Sequence, residues 1–198
     1  VSWKDLELPQ EVGPAQLATW LENQFQIEVS PGLLAALSKP LPKNMRIVYK
    51  CRQVIAILPG GSLVFGLAVD IGTTKIAGYL VDLESGRTVA SSGITNPQIA
   101  FGEDVISRIE FSDRHPQGGL DLQRVLVGGL NELVATLCSQ AGIQPGQVVD
   151  AVMVGNTAMH HLLVGCSVHS LGTSPYQAAI LEAIQKALDR IELRLRSR

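Results

Sequence analysis

In the stretch VFGLAVDIGTTKIAGYLVDLESG, Val64 to Gly86, an apolar run ends in Asp70. Gly72, Thr73, Thr74 and Lys75 follow before a second apolar run begins. A turn of this composition after a strand presents backbone N–H groups and two hydroxyls to one point, and such concave donor clusters bind phosphate oxygens. Gly72 lets the backbone come close because it has no Cβ. Asp70 is anionic and cannot touch a phosphate directly; its natural role is through a hydrated magnesium ion, which keeps several waters and uses one or two carboxylates. Lys75 either lends a positive charge or faces solvent. On this pattern alone, a plain β-hairpin with turn-forming residues is an equal reading. Neither a Walker loop nor the G-x-G-x-x-G of a dinucleotide site is present.

Other polar groups invite two readings each. Asp104 and Arg108 stand at i and i+4, which suits a helix ion pair worth a few tenths of a kcal/mol; alternatively they lie on a cleft or partner surface. Asn96-Pro97-Gln98 ends a strand as a turn would, or contributes to the same surface. His160 and His161 are adjacent and point different ways on a helix. Metal binding with Cys166 or His169 is therefore disfavoured, since metal helices usually place ligands at i and i+4. Met159, Leu162 and Leu163 read as the core stripe of that helix.

The elements that must position these groups fall into two parts. Residues 1–62 form a small α+β unit. Trp3 to Val12 reads as an irregular lead-in and Pro14 to Phe25 as a helix with Leu17, Trp20 and Leu21 on one face. Ser30-Pro31 opens a short helix through Leu37, which Lys39 to Lys43 breaks. Met45 to Leu58 reads as one or two strands. Pro59-Gly-Gly-Ser62 is turn material and the boundary. Beyond it, Val64–Asp70, Lys75–Val81 and Arg87–Thr95 read as an antiparallel meander, with Asp82–Gly86 as a hairpin turn. A helix starts in Gly102–Phe111, and Pro116 to Gly119 interrupts it. A long helix then carries Leu122, Val125, Leu126, Leu130, Leu133, Val134 and Leu137 at three- and four-residue spacing and stops at Gly142. Gly128-Gly129 inside it predicts close packing on a neighbour. Val148 to Val154 is a fourth strand, followed by Gly155-Asn156-Thr157 and a short helix through Val164. The order β-β-β-α-β-α is that of half of an actin-like, ribonuclease-H-like fold, giving an α/β class with a mixed sheet over 63–176.

Bulk properties bound the partners. A net charge of −2 over 198 residues gives no general attraction to nucleic acid or an anionic membrane. Cys51, Cys138 and Cys166 are odd in number, widely spaced and form no C-x-x-C. That pattern disfavours a disulfide framework or an iron–sulfur site within this stretch and fits a reducing cytoplasm. Val1 suggests that the natural chain starts earlier.

The segment VFGLAVDIGTTKIAGYLVDLESGRTVASSGITNPQIAFGEDVISRIEF, with the later VMVGNTAMHHLLVG, resembles the reductive activators of corrinoid proteins. These belong to the superfamily of actin, sugar kinases and heat-shock ATPases. The resemblance covers most of residues 5–176 and likens residues 1–62 to the middle domain that joins ferredoxin to ATPase. It implies ATP and magnesium as cofactors and a corrinoid protein of a methyltransferase system as partner. It also implies return of cobalt(II) to cobalt(I) with electrons from a [2Fe–2S] ferredoxin domain outside this stretch. It matches Asp70, Gly72, Thr73, Thr74 and Lys75 to the first phosphate motif, and Asn156 and Thr157 to a cleft-facing segment, with Asp70 and Asn156 as catalytic residues. After Tyr176 the likeness fades. Residues 177–198 read as an amphipathic helix of uncertain origin, with Leu181, Ile184, Leu188, Ile191 and Leu195 on one face. Such a face suits cover of exposed apolar surface, within the chain or across a homodimer. A small-molecule kinase, a radical-dehydratase activator of the same superfamily and a non-catalytic interaction module are the alternatives. The absence of a second phosphate loop predicts little ATPase activity for the chain alone.

Overall fold

The structure, a computed structural model, describes residues 1–36 and 41–179. The chain divides into two compact units, Val1–Val64 and Phe65–Arg198. Each holds a mixed four-stranded sheet, so the chain is an α/β protein.

In the first unit the sheet order is β1-β3-β4-β2, from β1 (Ser2–Glu7), β2 (Glu28–Val29), β3 (Asn44–Lys50) and β4 (Gln53–Pro59). The segment read as an irregular lead-in is β1, paired antiparallel to β3. Its burial is confined to two positions of six, so it offers little apolar alternation by which a strand is recognised. Its anchor is a bidentate ion pair at 2.9 and 2.7 Å, in which the buried Arg46 donates to both Asp5 carboxylate oxygens. Helix α1 (Pro14–Phe25) buries Leu17 and Leu21 against Met45 and Ile47. Helix α2 (Pro31–Ala36) is capped by Ser30, whose Oγ accepts from the Leu33 N–H at 3.2 Å. The expected break is partly outside the described residues. Two strands occupy 44–59 because Cys51 and Arg52 both take left-handed φ, 49° and 67°, the geometry of a tight two-residue hairpin.

In the second unit β5 (Phe65–Ile71), β6 (Lys75–Asp82) and β7 (Thr88–Thr95) form the antiparallel meander. The hairpin between β6 and β7 is held by Asp82, whose carboxylate accepts from the Glu84 N–H and the Ser85 hydroxyl. A 3-10 turn (Pro97–Phe101) and helix α3 (Val105–Arg114) lead to helix α4 (Gly118–Ala141). The chain then returns as β8 (Val148–Gly155), parallel to β5, giving the order β7-β6-β5-β8. Helices α5 (Thr157–Val164) and α6 (His169–Gly172) follow.

Helix α4 buries Leu122, Leu126, Leu130, Leu133 and Leu137 completely or nearly so, each such leucine contributing about 1.5–3 kcal/mol. Gly78 admits this helix onto β6: a Cβ there would lie 2.9 Å from Leu133 and 3.0 Å from Leu137. Of the paired glycines, Gly129 carries the expected close packing, against Ile94 and Pro97, whereas Gly128 faces open space. Gly118 and Gly119 belong to the helix rather than to the interruption. A Cβ at Gly118 would meet the Phe111 carbonyl oxygen at 2.7 Å, so glycine is what allows α4 to start so close to α3. Gly142 ends the helix at φ 65°. No described helix is long and apolar enough to cross a membrane. The amphipathic segment beyond residue 179 lies outside the described residues.

Candidate phosphate-binding turn

The turn joining β5 to β6 is fixed from below through its carbonyl oxygens. Asn96 Nδ2 donates to the Gly72 oxygen at 2.9 Å, Arg108 Nη2 to the Thr73 oxygen at 2.7 Å, and the Asn96 N–H to the Thr74 oxygen at 2.9 Å. In a trans peptide the N–H points opposite the C=O. Drawing the Gly72 and Thr73 carbonyls inward therefore turns the Thr73 and Thr74 amides outward. The amides of Gly72, Thr73 and Thr74 find no acceptor among the described residues. Gly72 is obligatory on steric grounds: a Cβ there would lie 2.5 Å from the Lys75 carbonyl oxygen, which is backbone and cannot swing away.

The parallel pairing of β5 with β8 sets Asp70 opposite Val154 and Ile71 opposite Gly155. This register carries the start of α5 to the side of the turn. Asn156 caps α5, its Oδ1 accepting from the Met159 N–H at 3.0 Å, while its Nδ2 donates to Thr73 Oγ1 at 3.1 Å. Thr73 thus uses its oxygen as an acceptor and keeps its hydroxyl proton to donate. Asp70, Thr74 and Lys75 are exposed; Gly72 and Thr73 are partly so. Asp70 has no partner among the described residues, so its carboxylate is free to hold a hydrated cation. The donor set of amides, hydroxyls and one free carboxylate suits a magnesium-bound phosphate chain.

Asn96, Gln98 and Arg108 do not line a cleft or partner surface. Each is fully buried, and together they form the floor of the turn. Gln98 Nε2 donates to the Leu122 oxygen at 3.0 Å and its Oε1 accepts from Arg108 Nη1 at 3.2 Å. Arg108 also donates from Nε to the Gly102 oxygen at 2.9 Å and from Nη1 to Met159 Sδ at 3.6 Å. The expected Asp104–Arg108 ion pair gives way to a capping box. The Asp104 carboxylate accepts from the Ser107 N–H at 2.8 Å, and the Ser107 hydroxyl accepts from the Asp104 N–H. The Ser107 N–H, and the Ser107 hydroxyl donating to the same carboxylate oxygen at 2.9 Å, hold the Asp104 carboxyl below its usual range. Burial draws the Arg108 guanidinium below the ordinary arginine value, and the nearby Asp104 charge partly offsets it. A sequence signal for this floor exists: Arg108 falls with Val105 and Ile109 in the inward stripe of α3.

The histidines do not assemble a metal site, and no cluster of three metal-ligating side chains occurs among the described residues. His161 is buried, its Nδ1 2.7 Å from the Thr157 oxygen and its Nε2 accepting from the Ala179 N–H at 3.1 Å. His169 pairs with Asp113 at 2.9 Å. Met159, Leu162 and Leu163 are core, as expected.

Known proteins agree with the resemblance and extend it. Residues 65–198 match the family model described as the RACo middle region. That match takes in the second unit and runs through the C-terminal segment that the resemblance left out. A curated relative, the corrinoid activation enzyme RamQ of Eubacterium limosum, is 30% identical over 151 residues, 74% of this chain and 26% of that protein. A solved structure titled reductive activator for corrinoid, iron-sulfur protein superposes with a TM-score of 0.73 at 28% identity. That match covers 97% of this chain and 33% of the other. The chain therefore spans about a quarter to a third of the relatives it matches. Since the family model accounts for well over half of its residues, this chain belongs to the RACo middle region family.

Proposed function

We propose that this chain supplies the first phosphate-holding lobe of an ATP-dependent reductive activator, in which one electron from a [2Fe–2S] ferredoxin domain returns a cobalt(II) corrinoid protein to cobalt(I). The lobe is the half of an actin-like fold that carries the first phosphate motif. The single observation that supports this reading most is the β5–β6 turn, with its carbonyls bonded inward and its amides left without acceptors beside Asp70 and Asn156. The relatives favour corrinoid activation over a small-molecule kinase or a dehydratase activator, for which nothing specific speaks.

Bound magnesium nucleotide would supply the free energy for an uphill electron transfer. The residues present do the holding. The Thr73 and Thr74 amides and the Thr73 hydroxyl would donate to phosphate oxygens, and the start of α5 would add its positive dipole end. Asp70 would accept from waters of the cation, and Asn156 fixes the Thr73 side chain. Nothing here requires this chain to carry the electron itself.

The test uses the complete protein with its ferredoxin domain and corrinoid partner. Cobalt(I) formation is followed by absorbance with and without ATP. Asp70→Asn should abolish most of the ATP-dependent rate while leaving ferredoxin reduction intact. An ATP-dependent rate unchanged by Asp70→Asn would remove Asp70 from the mechanism, and cobalt reduction indifferent to ATP would remove the whole reading.

A further inference from the structure

Arg108 is a fully buried cation whose bonds all go to neutral acceptors: the Thr73 and Gly102 carbonyl oxygens, the Gln98 amide oxygen and the Met159 sulfur. No carboxylate among the described residues pairs with it. Asp104, its sequence neighbour at i−4, spends its charge on the cap of α3. A buried charge is ordinarily paired, because desolvation without a counter-ion is costly. Here the hydrogen bonds come from neutral groups, and the nearby Asp104 charge acts on the guanidinium without a bond to it. The bond from Arg108 also runs to the one carbonyl whose peptide ends in the Thr74 N–H. The cation therefore both orients and polarises a donor on the far side of that peptide.

We propose that a phosphate bound on the turn is the missing counter-ion of Arg108, so that this arginine acts as a positioning residue that couples occupancy of the turn to the stability of the second unit. The proposal rests on the phosphate reading of residues 72–74. It goes further in assigning the charge selectivity of the site to a side chain that no ligand touches. The path from Arg108 Nη2 to the Thr73 oxygen is 2.7 Å. With a peptide width and an N–H···O bond added, the charges stand about 9 Å apart, which at an effective dielectric of about 20 is worth roughly twentyfold in affinity per phosphate charge. Two consequences follow: anions should bind in proportion to their charge, and an internal carboxylate should replace them.

Met159 provides the place for such a carboxylate. Its sulfur already accepts from Arg108 Nη1 at 3.6 Å and from Asn96 Nδ2 at 3.7 Å. Met159→Glu would put a negative charge there, and Met159→Gln the same shape without it. The experiment titrates the 198-residue chain and both variants with inorganic tripolyphosphate, reading the Thr73 and Thr74 amide signals by NMR and the melting temperature by circular dichroism. The expected result is that the Glu variant melts higher than the Gln variant without ligand, yet binds tripolyphosphate at least about twentyfold more weakly and gains less from it on melting. Equal affinities in the two variants would overturn the counter-ion role while leaving the phosphate turn standing. An absence of binding by the wild-type chain would overturn the turn reading and the proposal together. Arg108→Lys and Arg108→Met give a second comparison: among folded proteins, lysine should retain more affinity than methionine, and equal affinities would again overturn the role.

Discussion

Asn96→Ala removes the side chain that ties the turn to its floor, and its cost can be worked from the bonds it breaks. Asn96 is fully buried. Its Oδ1 accepts from the buried Gln98 N–H at 3.0 Å, and its Nδ2 donates to the partly buried Gly72 oxygen at 2.9 Å. Truncation orphans both partners. An unsatisfied buried group costs about 1–3 kcal/mol, and water can reach Gly72 more easily than Gln98, so the sum is roughly 2–4 kcal/mol. Against a typical domain stability of about 5–15 kcal/mol, this lowers the melting temperature by roughly 10 °C. The assay is thermal and urea unfolding followed by circular dichroism, with tryptophan fluorescence recorded in parallel. Trp3 and Trp20 are the two tryptophans, so fluorescence follows the first unit and the helices α3 to α5 report the second. Asn96→Asp keeps the acceptor for Gln98 but turns an oxygen toward the Gly72 carbonyl, and should fall by a comparable amount. A loss below about 0.5 kcal/mol, the size of an ordinary surface substitution, would show that the floor does not hold the turn and would refute the reasoning.

Gly72→Ala should distort the turn, because its Cβ would stand 2.5 Å from the Lys75 oxygen; loss of nucleotide binding together with a lowered melting point is expected, and a crystal structure with an unshifted turn would contradict it. Asp70→Asn and Thr73→Val should each melt within about 1 kcal/mol of wild type, since exposed Asp70 has no partner among the described residues and Thr73 contributes one exposed bond; ATP-dependent cobalt reduction by the complete protein should fall in both. The chain alone should show little steady-state ATP hydrolysis with magnesium, because transition-state stabilisation needs donors preorganised in a water-excluded site; turnover that Asp70→Ala abolishes would show it self-sufficient. Asp104, with its pKa lowered by its bonds to Ser107, should contribute helix stability that is present above about pH 4 and is lost as the pH falls through its lower folded value; urea unfolding of Asp104→Asn should lack that acid dependence.

The meander, the long helix and the parallel fourth strand were legible because their apolar residues keep a clear period and their ends carry glycines and turn residues. Strand β1 was not, since its pairing is set by the Asp5–Arg46 bond from a distant strand rather than by its own pattern. The turn itself was legible in Asp70 and Gly72–Lys75. Its floor was misplaced, because Asn96, Gln98 and Arg108 are polar types that usually sit at the surface. Only the tertiary fold, which brings the Arg108 side chain of α3 beneath the β5–β6 turn, reveals that their polarity is spent on carbonyls. The helical stripe of Val105, Arg108 and Ile109 held that information, but a local i, i+4 pair with Asp104 explained the same residues more simply.

The central claim is that the outward amides of the β5–β6 turn hold phosphate. Its most direct test is a titration of the isotopically labelled chain with magnesium ADP, following each backbone amide by NMR. The account predicts that the Thr73 and Thr74 signals move first and furthest, with Gly72 and the Asn156 side chain close behind, and that Asp70→Asn removes the magnesium dependence of those shifts. Saturable binding whose shifts lie elsewhere in the sheet, with residues 72–74 unmoved, would contradict it.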